Sequence, residues 1–71
     1  MTWTQHVDVT GFRCLRCGDA SVYACASVDV VALGIQGGRI GMYFPGDDLD
    51  RAAAIYGLPP VTAADIAWLD A

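Results

Sequence analysis

Pro45-Gly46 divides this chain into two parts written in different periods. Before it, apolar residues recur at every second position, as in Val22, Ala24, Ala26, Val28 and Val30. After it, Leu49, Ala52, Ala53 and Tyr56 recur at every third or fourth. Period two belongs to a strand with one buried face, and a period near 3.6 to an amphipathic helix. A proline without an N–H, followed by a glycine, continues neither element. The division specifies an α+β fold in one small domain of 71 residues. An antiparallel β-meander of three or four strands is expected over residues 1–44, then two short C-terminal helices as a helical hairpin over residues 47–71.

The first strand is expected from Trp3 to Val9, with Trp3, Val7 and Val9 on one side and Thr4, His6, Asp8 and Thr10 toward water. Thr10-Gly11 allows a bend. The stretch after Gly18-Asp19 is rich in β-branched residues and free of Gly and Pro, so residues 3–13 and 20–27 read as the arms of a hairpin with Phe12 to Gly18 at its tip. A second hairpin is marked by Ile35-Gln36-Gly37-Gly38-Arg39-Ile40, where two glycines suit the positive φ that a type I′ turn requires at both central positions. Its strands are expected over about residues 29–36 and 39–44.

In the second part, Asp47 is a suitable N-cap, and Asp48 and Asp50 fall in the first turn, where the helix dipole favours acids. Gly57 suits an αL cap that ends the helix. Leu58-Pro59-Pro60 is a stiff link. Thr62 with Asp65 makes a capping-box variant, with Val61 placed to staple onto Ile66, and a second helix follows over about residues 63–70. Both helices are too short to stand alone and must pack on the sheet, on each other or on a partner.

A chain of this length buries only about 60% of the surface its unfolded form exposes. Yet 55% of its residues are hydrophobic, with a mean hydropathy of +0.41. The surplus points to an oligomer or a protein-binding face. The charges are eight Asp against four Arg, with no Glu or Lys. A net charge of −4 works against binding a phosphate backbone or an anionic membrane. No run is long enough to span a bilayer, and the N-terminus has neither the basic region nor the apolar core of a signal peptide. A cytoplasmic location is expected, where cysteines stay reduced.

Cys14 and Cys17 bracket two residues in FRCLRCG, with an aromatic two positions before the first and a glycine right after the second. Over Phe12 to Tyr23 this resembles the cysteine knuckle of zinc-ribbon and rubredoxin-type proteins. The resemblance implies that the two thiolates hold half of a structural Zn²⁺ site. The remaining soft ligands are His6 and Cys25, each eight residues from its nearer knuckle cysteine. In a straight hairpin that is roughly 26 Å, so a site of His6, Cys14, Cys17 and Cys25 needs both arms to fold back. Alternatively, two chains share a four-cysteine site across a dimer axis, or the motif is a tight turn that binds nothing.

The same CxxC could serve thiol redox chemistry, but the residues after Cys17 read as strand, not as the helix that lowers a thiol pKa. One His, no Glu and no recognisable nucleophile motif argue against an enzyme. The segment DRAAAIYGLPPVTAADIAWL resembles the helix-turn-helix of bacterial regulators and some antitoxins. Its would-be recognition helix presents Asp65 and Asp70 with no Arg, Lys, Asn or Gln to read bases.

Met42, Tyr43 and Phe44 are consecutive and large, so they cannot all face one side of a strand, and one side asks for a cover. Trp68 sits at the flank of the Ile66 and Leu69 stripe, where a Trp can anchor a partner. The expectation is a small non-enzymatic protein-binding or oligomer-forming module of the inhibitor, adaptor or phage-regulator kind, with structural Zn²⁺ as an option. Its contact residues are Met42, Tyr43, Phe44, Tyr56 and Trp68. The alternative is a helix-turn-helix regulator or antitoxin.

Overall fold

The structure is a computed structural model and describes residues 1–25 and 29–71. Five strands, β1 (Thr4–Val7), β2 (Arg13–Cys17), β3 (Ala20–Ala24), β4 (Val31–Ile35) and β5 (Ile40–Tyr43), precede α1 (Asp47–Ile55) and α2 (Ala63–Asp70). The strands form one antiparallel sheet in chain order, β1-β2-β3-β4-β5. This is the α+β meander expected from the change of period, with five strands instead of three or four. The expected continuation of the third strand through Ser27 falls on residues 26–28, outside the described residues.

The extra strand comes from an early reversal. Asp8 Oδ1 accepts from the Thr10 N–H (2.8 Å), the Thr10 hydroxyl (2.6 Å) and the Phe12 N–H (3.0 Å). Gly11, at φ 88°, completes the turn by donating to the Asp8 carbonyl. The chain therefore turns back before the cysteines, and FRCLRCG supplies a strand of its own. The tip expected over Phe12 to Gly18 is confined to Gly18-Asp19, where Gly18 takes φ 57°.

The second hairpin also differs from expectation. Only Gly37 has positive φ (74°), and the Gly38 N–H donates to the Ile35 carbonyl at 2.8 Å. Positive φ at the third residue alone marks a type II turn, not type I′. The Gln36 N–H is meanwhile bonded to the Asp19 carbonyl at 2.9 Å, which ties the two hairpin tips together.

Alternation then sorts the side chains onto two faces. The cross-strand row Leu15–Val22–Leu33 lies at 0–2% exposure. With Cys17, Ala20 and Val31 it packs against Leu49, Ala52 and Ala53 of α1, and against Val61 and Leu69. α1 lies over β4 and β5, and α2 over β2 and β3. Trp3 joins this core, but Val7 and Val9 at the far end of their strand are exposed, which corrects their expected burial.

Polar links tie the helical layer down. Trp3 Nε1 donates to the Pro59 carbonyl at 2.8 Å, and the Val61 N–H donates to Asp50 Oδ1 at 2.9 Å. Gln5 Nε2 donates to Asp65 Oδ1 at 3.2 Å. Arg13 donates to the Trp68 carbonyl at 2.8 Å, and its guanidinium carbon sits 5.2 Å from the Trp68 ring centroid. A cation at a helix C-terminus and over an indole is favourable on both counts.

The helix ends are mostly as the sequence predicts. Leu58 and Gly57 donate to the Ala53 and Ala54 carbonyls, with Gly57 at φ 71°, the Schellman arrangement. The Thr62 hydroxyl caps the Asp65 N–H at 3.1 Å. The α1 cap is different. Gly46, not Asp47, is the N-cap residue, and Asp48 reaches back to accept the Phe44 N–H at 3.0 Å, closing the end of β5.

Candidate functional site

Among the described residues, no helix packs on the other sheet face. One complete cross-strand row there is Thr4–Arg16–Ser21–Gly34–Ile40. The next contains the pairs His6–Cys14, Tyr23–Ala32 and Ala32–Met42. Small residues at Ala32 and Cys14 are buried by their taller neighbours, although neither belongs to the core beneath the helices.

The large apolar side chains of this face stay exposed: Ile40 by 64%, Met42 by 61%, Phe44 by 63% and Phe12 by 50%. The Phe12 and Tyr23 rings meet at 5.9 Å between centroids and 58° between planes, a favourable tilted contact. Cys25 Sγ lies 3.3 Å from Met42 Sδ. Ile40, Met42 and Phe44 alternate along β5 and its end as a ridge. Beside them the floor is concave: a furrow of about 550 Å³ runs past Arg16, Ser21, Tyr23 and Gly34. It adjoins a hollow of about 210 Å³ lined by His6, Asp8, Phe12, Cys14 and Tyr23.

The electrostatics of the two layers differ. No Asp lies within any of the five strands, while Asp47, Asp48, Asp50, Asp65 and Asp70 all belong to the helices. The open face carries Arg16 and His6. At its rim, the Thr10 hydroxyl first, then the Phe12 N–H, hold the Asp8 carboxyl below the usual Asp range.

The proposed contact residues are thereby divided. Met42 and Phe44 share the open face. Tyr43 points to the covered face, where it packs against the core. There a Cβ on Gly41 would come within 2.7 Å of the Tyr43 ring. Trp68 is partly buried against the core beneath Arg13. Tyr56 is half exposed at the C-cap of α1, in the other layer. Phe12 and Ile40, exposed on this same face, are not among the contact residues expected from the sequence. Phe12 had been assigned to the metal motif, while Ile40 was legible from its period-two relation to Met42 and Phe44.

The metal ligands are divided as well. Cys14 and Cys17 are three apart on one strand, which sends their side chains to opposite faces. Cys17 enters the core, and Cys14 pairs across from His6 on the open face. All three cysteines carry free thiols. Among the described residues, no three His, Cys or Asp side chains converge as a metal site would require. The donor pair that the knuckle resemblance implies does not fit a shared ion in this register.

The helix-turn-helix segment has its stripe against the sheet, leaving Ala63, Ala64, Ala67 and Asp70 as the exposed positions of α2. Among the described residues, no helix is long and apolar enough to cross a membrane. No protein-family model, curated protein or solved structure matches this chain, so its functional reading rests on the chemistry of its own surfaces.

Proposed function

We propose that this protein is a small non-enzymatic interaction module, working in the cytoplasm, whose docking surface is the open face of its sheet. One observation carries the reading. Both helices cover one sheet face, while Phe12, Ile40, Met42 and Phe44 stand half to two-thirds exposed on the other. Exposed apolar patches of this kind mark contact sites, because they are costly in water and invite association. The polar groups between them, Arg16, His6 and Ser21, can orient a partner without making the face hydrophilic. An inhibitor, adaptor or regulator that acts by occupying another surface needs no more than this. With Cys14 and Cys17 on opposite faces, this pair has no role as joint metal ligands in the proposed module.

The test is a photo-crosslinking amino acid at position 42, with position 55 as the control. Ile55 is 79% exposed on α1 and is equally apolar, but belongs to the other layer. The reading expects a discrete protein adduct in producing cells from position 42 and none from position 55. Equal, diffuse labelling from both positions contradicts it.

A further inference from the structure

Resting on that reading, we infer that the occupant of the open face is a second copy of this chain, packed face to face about a two-fold axis parallel to the strands. Three observations lead there. The first is shape. β3 is the middle strand, so a two-fold along it inverts strand order and lays β5 of one copy over β1 and β2 of the other. The Met42 ridge then falls on the hollow beside His6 and Cys14, and Arg16 falls on Gly34, which offers no side chain to obstruct it. Knob meets hole twice, once for each copy.

The second is charge. A protein of net charge −4 repels its own copies wherever acids meet. Five of its eight Asp lie on the helices and none within the strands; open face against open face keeps those five farthest from their copies, with Asp8 and Asp19 on the walls of the open face. The third is area. Five strands about 4.8 Å apart and about five residues long cover roughly 400 Å² in projection. With side-chain relief each copy would bury about 600 Å², the low end for specific interfaces. The dimer is therefore weak and concentration-dependent.

Sedimentation velocity over a roughly hundredfold concentration range tests the association. A shift from monomer to dimer is expected, with at least about tenfold weaker dimerisation for Met42→Asp and no change for Ile55→Asp. Orientation is read by disulfide trapping of His6→Cys with Met42→Cys in a Cys14→Ser, Cys25→Ser background. Within one chain these positions sit on opposite sheet edges, about 19 Å apart, so the bond can form only between copies. A covalent dimer from the pair, with none from either cysteine alone, confirms the inverted strand order. A monomer at every concentration overturns the proposal, as does a dimer that forms no trapped species and tolerates Met42→Asp. If the purified chain stays monomeric but position 42 captures a different protein in cells, the second copy is wrong and the docking face stands. If position 42 captures nothing, both fail. Circular dichroism of each variant confirms that the fold is retained.

Discussion

The two faces of this sheet are built from the same five strands, yet they have been finished differently. On the covered face Leu15, Val22 and Leu33 form a continuous row sealed by Leu49 and Ala53. The helices above them are fixed by the bonds from Trp3, Arg13 and Gln5. On the open face the corresponding rows hold Ile40 and Met42, with Phe12 and Phe44 at the strand ends, and no described helix seals them. Burial on one face has been used to fold the chain. The other keeps its apolar side chains exposed, which reconciles a composition too apolar for a domain of this size with a core of ordinary extent.

The largest expected effect comes from breaking the covered face. Leu15→Ala removes a side chain with no exposure and leaves a cavity, at a cost of about 3 kcal/mol in denaturant unfolding. That is a large share of the roughly 4–10 kcal/mol expected for a chain this size. A loss below about 1 kcal/mol would mean that this row is not the core. Next in size is Arg13→Ala, which deletes the bond to the Trp68 carbonyl, the charge at the α2 terminus and the cation over the indole. About 1–2 kcal/mol should be lost, with greater solvent exposure of Trp68 in its fluorescence. An unchanged emission would show that Arg13 does not hold Trp68 in place.

The smallest effect sharpens the comparison at the rim of the open face. The hydrogen bonds to Asp8 favour its charged form, so its folded pKa lies below the unfolded value. Its contribution to stability is therefore present above the ordinary Asp pKa and is lost as pH falls through the depressed folded value. Carboxyl titration followed by NMR should find Asp8 protonating below the ordinary Asp range. The Thr10 amide shift should move with it, and Asp8→Ala should abolish that movement. An Asp8 that titrates in the ordinary Asp range would leave the turn without its carboxylate anchor.

Much of the covered layer was legible in the sequence, because its signals are local. The change of period at Pro45-Gly46, the Gly57 terminus and the Thr62 cap each depend on residues within one turn of chain. The strand count was not. FRCLRCG has the composition of a metal knuckle, and whether it turns or extends is decided by where the chain reverses before it. That reversal is set by the carboxylate of Asp8 reaching forward to Thr10 and Phe12, a side-chain bond that periodicity does not register. Once Cys14 and Cys17 belong to one strand, their odd spacing separates them. The second hairpin shows the same limit: two adjacent glycines permit type I′, but the Asp19 carbonyl holds the Gln36 amide and the turn becomes type II. The open face was half legible. Met42 and Phe44 announced an uncovered side, but the assignment of Tyr43 and Trp68 to the opposite face required the register.

The most direct measurement is the unfolding free energy of the dilute chain carrying Ile40→Thr, Met42→Thr and Phe44→Thr together. Threonine keeps strand preference and removes the apolar ridge. If this face serves association and not folding, stability in the monomeric regime should stay within about 1 kcal/mol of the parent, with dimerisation lost. A loss of several kcal/mol in that regime would contradict the account, since it would make the open face part of what folds the chain.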